Sequence, residues 1–173
     1  MANLFVFNEE VETQDHDKIT FFLERFGIRF GKVELPDQAK ELAKLQTLTD
    51  EQRSGLIDLF PEEIDKFSSL TGYRSDVVCF YPEFEHLDFI LSKFAPIHFH
   101  FENEFWYFVD GSAKFGYLGH DGTKFQVTVE AGEFIQVPEG VWQWFELTEE
   151  KRMKAIRFFY TTGTVPERVP VEL

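Results

Sequence analysis

The chain has a single cysteine, Cys79, in 173 residues, so it cannot close an internal disulfide. That cysteine stands in the apolar run Val77-Val78-Cys79-Phe80, where a buried and inert thiol is expected. Positive charge is also scarce: 17 Lys and Arg face 31 Asp and Glu, a formal net charge of −14. A surface this acidic lacks the basic patches that replace phosphate counterions. It excludes sequence-independent nucleic-acid binding and docking on an anionic membrane. No apolar run approaches the roughly 20 residues of a membrane span, and the N-terminus carries no basic signal-peptide region. The expected location is cytoplasmic. Internal repeats, low-complexity tracts and linkers are absent, so residues 1–173 are expected to form one domain. Gly-rich phosphate loops, a nucleophile elbow and Cys-x-x-Cys pairs are missing as well, which removes the common phosphoryl, acyl and dithiol chemistries.

Aromatic side chains are abundant. They make up 17% of the chain, with 22 phenylalanines, and hydrophobic residues reach 43%. That load of flat, rigid groups suits the lining of a barrel or a dry pocket. Residues 1–95 carry mostly helical signals. Ile19, Phe22, Leu23 and Phe26 recur at helical spacing, and Gly27 follows where a C-cap is wanted. Thr49 and Gln52 have capping-box spacing ahead of Leu56, Ile57, Leu59 and Phe60. Pro61 opens a predicted helix through Ile64, Phe67 and Leu70, closed by Gly72, and Leu87, Ile90, Leu91 and Phe94 predict another. Short strands are predicted at Leu4–Phe7, Ile28–Val33 and Val77–Phe80.

Beyond residue 95 the period falls to two. Strands are predicted at Ile97–Phe101, Phe105–Val109, Ala113–Leu118, Phe125–Val129, Phe134–Val137, Trp142–Leu147 and Ala155–Tyr160. Turn signals separate them at Asp110-Gly111, His120-Asp121-Gly122, Ala131-Gly132 and Pro138-Glu139-Gly140. Many short strands at this spacing predict a closed or sandwiched antiparallel fold over residues 96–162, with the helical part packed against it and a tail over 163–173.

His98-Phe99-His100 carries the chemistry. On a strand, residues two apart face the same way, so both imidazoles point to one face and Phe99 and Phe101 to the other. Phe101-Glu102-Asn103 is polar enough to bend, which lets Glu104 begin the next strand beside the histidines. Glu102 is the weaker rival for that role. Two imidazoles and a carboxylate are the ligand set of non-haem Fe(II) sites. His120 in a hairpin turn, and His16 and His86 among acidic neighbours, read as surface residues. Trp142 and Trp144 read as core or pocket wall.

The spacing of the surrounding residues matches the two cupin motifs, H-x-H-x3-E-x6-G at His98, His100, Glu104 and Gly111, and G-x5-P-x-G at Gly132, Pro138 and Gly140. Ser92 departs from the leading glycine of the first motif and Gln143 from the closing histidine of the second. The fold implied is mainly β with α, a cupin double-stranded β-helix.

The chain further resembles the acireductone dioxygenase family. The stretch from His98 to Gly111 is similar to that family's H-x-H-x3-E-x-R-x3-(E/D)-G. Val137-Pro-Glu-Gly-Val-Trp-Gln-Trp-Phe145 resembles its V-P-A-x3-H-x-F, and Ala155-Ile-Arg-Phe-Phe159 its A-I-R-(I/L)-F. Ile28-Arg-Phe30 and Gly72-Tyr73-Arg-Ser-Asp76 echo it upstream. The resemblance implies metal ligands at His98, His100, Glu104 and position 143, where this chain has Gln143. It implies substrate-facing groups at position 106, where the family arginine is replaced by Trp106, and at Arg157. Phe105 and Trp142 would help shape the pocket. Fe(II) is the expected ion, with Ni(II), Mn(II) or Zn(II) also able to occupy such donors. The expected partners are a small enediol and dioxygen, in a monomer or homodimer. The two replacements also leave open a cupin dioxygenase or isomerase with a less anionic substrate, and a ligand-binding cupin without catalysis.

Overall fold

A computed structural model describes residues 1–68, 70, 72–160 and 166–169, apart from the side chains of residues 66–68. The N-terminal part runs β1 (Asn3–Val6), β2 (Val11–Thr13), α1 (His16–Glu24), β3 (Arg29–Lys32), α2 (Asp37–Ala43), α3 (Asp50–Asp58), α4 (Glu62–Ser68), β4 (Arg74–Phe80) and α5 (Leu87–Ser92). The C-terminal part is strand after strand. It comprises β5 (His98–Phe99), β6 (Glu104–Leu118), β7 (Lys124–Glu130), β8 (Glu133–Val137), β9 (Trp142–Leu147), β10 (Met153–Phe159) and β11 (Glu167–Arg168).

The predicted helices form, and two of them start on side-chain caps. Asp15 Oδ1 accepts from the Asp17 and Lys18 amides at the start of α1. Thr49 and Gln52 make both halves of a capping box at α3. Phe67 of the predicted α4 face has its side chain outside the described residues, as do positions 161–165 and 170–173 of the predicted barrel end and tail.

Every strand pairing is antiparallel. One sheet runs β11-β5-β9-β6-β7-β1-β2, and a second is built from β4, β10, β6, β8 and β3. Strand β6 belongs to both and stitches them into the barrel expected of the motif pair. The Asp110-Gly111 turn expected from the sequence is therefore not a turn. The chain runs straight through it as one 15-residue strand. Opposite it, the β10 register slips between Lys154 and Ala155, so Ala155 faces Phe108 while Lys154 faces Asp110 and Val109 is the extra residue of a β-bulge. A one-residue slip exchanges the faces of a strand. Before the bulge Glu104, Trp106 and Phe108 point into the barrel. After it Ala113, Phe115 and Tyr117 do so, all in the barrel core. The alternate residues Phe105, Tyr107 and Val109 pack outside the barrel against Leu56, Ile64 and Leu70 of the helical part.

Lys154 shows how the helical part is tied down. Its side chain is 3% exposed, and Nζ donates to the carbonyls of Ala43 (2.9 Å) and Leu45 (2.6 Å), with the Asp110 carboxylate 3.8 Å away. Lys154→Met keeps the stem but strands two carbonyls and leaves the Asp110 carboxylate to Arg152 alone, 3.0 Å away. It should lower stability by about 3 kcal/mol, read as a lower urea midpoint at unchanged slope.

Candidate metal centre

The local sequence sets the site through one bend. Strand β5 is shorter than the predicted Ile97–Phe101 because the carbonyl of His100 accepts from the Gly140 amide (2.9 Å) and leaves the ladder. The Glu139 amide in turn donates to Asn103 Oδ1 at 2.9 Å. The Pro138-Glu139-Gly140 turn thus pins residues 100–103 in a bend, and Glu104 emerges beside the two imidazoles. His98 and His100 are 2% and 5% exposed while Phe101 is 73% exposed, so the two-residue alternation holds across the end of the strand.

Register then assembles two rows of side chains. On one sheet His98 pairs with Gln143, and Gln143 with Tyr117. On the other Asp76 pairs with Arg157, and Arg157 with Trp106. Directly opposed residues share a face. A cavity of about 260 Å³ lies between the rows, and His98, His100, Glu104, Gln143, Trp106 and Arg157 all line it. Leu91 and Phe94 cover it from the α5 side, and Phe115 and Phe145 from the barrel.

The electrostatics follow from burial. Removal from water lowers both His98 and His100 to about 4, more than the Pro96 carbonyl raises the first or Glu102 the second. Both rings are therefore neutral at pH 7 and carry a lone pair. His98 Nδ1 is 2.8 Å from the Pro96 carbonyl, which fixes that nitrogen as the N–H and leaves Nε2 as the donor atom. His100 Nδ1 is buried without a partner. Burial pushes Glu104 up to about 7, against the pull of Arg157 and of the Trp106 indole N–H. The 3.8 Å approach of Glu104 to His100 Nε2 is accordingly a contact to a neutral ring and not an ion pair. Trp106 Nε1 meets no acceptor at hydrogen-bond geometry, so its effect on Glu104 is that of a nearby dipole. Among the described residues no three His, Cys, Asp or Glu side chains are drawn onto one common point. The donors face a shared cavity, with an undercompensated carboxylate among them.

Two pocket-shaping expectations fail. Phe105 lies on the outer face of β6, stacked on Phe134 at 5.5 Å, because it has the opposite parity to Glu104 and Trp106. Trp142, opposite in parity to Gln143, lines a different cavity with Arg25 and His120. His16, expected on the surface, is half-buried with its ring 4.8 Å from Phe30 and Nε2 unpartnered, since β3 passes over the start of α1. His86 and His120 are exposed, and Cys79 is buried, its thiol pushed up by burial. Glu102 is half-exposed and does not line the cavity. Asp76 was not singled out from the sequence. The alternation Asp76, Val78, Phe80 on β4 was the signal available for it, because the last two line the cavity.

A sequence model described as the ARD/ARD' family matches residues 4–166. Acireductone dioxygenase of Leptospira interrogans is 32% identical over 171 residues, covering 98% of this chain and 96% of that protein. Acireductone dioxygenase of Microcystis aeruginosa is 33% identical, with 96% and 92% covered. Among solved structures, acireductone dioxygenase from Bacillus anthracis with a cadmium ion in its active centre superposes with a TM-score of 0.85 at 32% identity, covering 96% of this chain and 97% of that one. With the motif residues gathered at one cavity and the match running nearly end to end, this chain belongs to the acireductone dioxygenase, or ARD/ARD', family.

Proposed function

We propose that the chain is a metal-dependent dioxygenase that oxidises an acireductone-type enediol with dioxygen. The observation that carries this reading is the meeting of His98, His100, Glu104, Gln143 and Arg157 on one largely apolar cavity in a chain of this family.

The donors suit a divalent transition ion. Two neutral imidazoles, one carboxylate and one amide oxygen provide nitrogen and oxygen ligands, and the buried Glu104 carboxyl, 3.8 Å from His100 Nε2, gains a compensating charge. His98, His100 and Glu104 would hold the ion, with Gln143 as a fourth donor. Fe(II) is the expected native ion, and Gln143 in place of an imidazole lessens any preference for Ni(II). When bound, the ion supplies Lewis acidity that favours the ionised enediol. The protein's own part is placement and exclusion of water. Phe94, Phe115 and Phe145 wall the cavity, and Arg157 sits across it from the histidine row. Following the family's chemistry, the iron form would give formate and the keto-acid precursor of methionine, and the nickel form would also release carbon monoxide.

The test is to mix Fe(II)-loaded protein anaerobically with acireductone, admit air, and follow enediol absorbance and formate. Metal-dependent loss well above the spontaneous rate is expected. No acceleration with iron confirmed on the protein would defeat the reading.

A further inference from the structure

The charges around the cavity are unusually well accounted for. Arg157 is the one basic side chain on its wall among the described residues. Its Nε donates to Asp76 Oδ1 at 3.0 Å and its Nη2 to Asp76 Oδ2 at 2.6 Å, the two-pronged fork that Arg forms with a carboxylate. Register makes this pairing rigid, because Asp76, Arg157 and Trp106 stand directly opposite one another on β4, β10 and β6. The guanidinium also lies 4.7 Å from the Phe159 ring and 5.6 Å from that of Trp106. Its positive charge is thus already engaged by Asp76, although the pull reaches Glu104 and His100 as well. Glu104 offsets one of the two charges of a divalent ion, so the centre retains a single positive charge for its ligand to balance. Where the family places an arginine, Trp106 offers no charge. It offers an indole N–H, in a residue 9% exposed, that meets no acceptor at hydrogen-bond geometry among the described residues. An indole N–H is a donor only, and leaving it unmatched in a dry cavity is costly.

Resting on the enediol reading above, we propose that Asp76 and Trp106 set the charge this site accepts: a singly ionised enediol with an apolar substituent, its uncharged oxygen held by Trp106 Nε1. Asp76 is a specificity-determining residue that acts through Arg157. A second acidic group on the ligand finds no free cation and instead meets Val78, Phe80, Leu91 and Phe94.

Catechols mimic the planar pair of oxygens of an enediol. Protein loaded with redox-inert Zn(II) can be titrated by calorimetry with 4-methylcatechol and with 3,4-dihydroxybenzoate, which differ in the added carboxylate. Wild-type protein should bind the methyl compound about tenfold tighter or more. Asp76→Asn, which takes the carboxylate from the Arg157 fork, should shrink that ratio several-fold, chiefly by improving the carboxylate compound. Trp106→Phe, which keeps the ring and removes the N–H, should weaken the methyl compound about fivefold. Equal or tighter binding of the carboxylate compound to wild type would overturn the proposal while leaving the enediol reading in place, and so would an unchanged ratio in a folded Asp76→Asn protein. Binding of neither compound, with zinc confirmed on the protein, would overturn the enediol reading and this proposal with it.

Discussion

Glu104→Gln should lose metal affinity by more than about 100-fold, since changing even the outer partners of metal ligands costs 10- to 100-fold. Dioxygenase activity should fall with it. The substitution keeps the volume of a side chain that is only 5% exposed at the start of β6, so the barrel has no packing reason to change. The stability of the metal-free protein should move the other way. Burial raises the Glu104 carboxyl to about 7 from its ordinary 4.5. Between those values the folded chain holds a proton that the unfolded chain has released, so stability is lost as pH rises through the window. The stabilisation forgone above pH 7 amounts to a few kcal/mol, and the glutamine variant does not pass through it. His98 and His100, lowered to about 4, add a rise in stability with pH that both proteins share. Urea titrations with chelator present should therefore show wild type losing stability relative to Glu104→Gln between pH 5 and pH 8. Metal analysis after loading checks the other half. Unchanged metal stoichiometry and affinity in the variant would remove Glu104 from the ligand set.

The opposition between site and stability explains which features could be read in advance. A buried carboxylate between two buried imidazoles has no packing rationale, and its spacing stands out against a phenylalanine-rich strand. The two-residue period put His98 and His100 on one face and the bend brought Glu104 beside them, while Trp106, Gln143 and Arg157 were reached through the family resemblance; all six line the cavity. The same period, counted strictly, would also have turned Phe105 and Trp142 away from it. Their aromatic character drew them to the pocket where parity did not. Asp76 was harder to find. Its meaning depends on β4 lying beside β10, a pairing between residues 81 positions apart that no local pattern encodes. Strands β2 and β11 span three and two residues, too few for a period to show. Helix α2 buries only Ala39 and Ala43, so its apolar stripe is too thin to register. The rest of the helical part was legible through helical spacing, reinforced at Gly27, Thr49, Gln52 and Pro61 by cap signals written in nearby residues.

Gly111→Ala should destabilise the fold by more than about 3 kcal/mol, combining a strained backbone with a steric clash. Gly111 has φ of 67°, and a Cβ built there overlaps the Arg152 carbonyl. That carbonyl is fixed, since it accepts from the Ser112 amide at 3.1 Å, and the Gly111 carbonyl accepts from Ala131 at 3.2 Å. Backbone cannot step aside as a side chain can. Gly122 and Gly140 provide the contrast, with φ of 84° and 76° but open space around the missing Cβ. Alanine there should cost only about 1 kcal/mol of backbone strain. The larger loss at Gly111 reflects what the bulge does. It shifts the inward parity of β6 from Glu104 and Trp106 to Phe115 and Tyr117, so one strand presents a ligand to the cavity in one sheet and apolar wall in the other. Without the bulge, correct facing of Glu104 would turn Phe115 and Tyr117 outward. Thermal melts of the three alanine variants should therefore separate Gly111 clearly from the other two. A Gly111→Ala midpoint close to theirs would mean that β6 holds its two registers without a glycine beside the bulge.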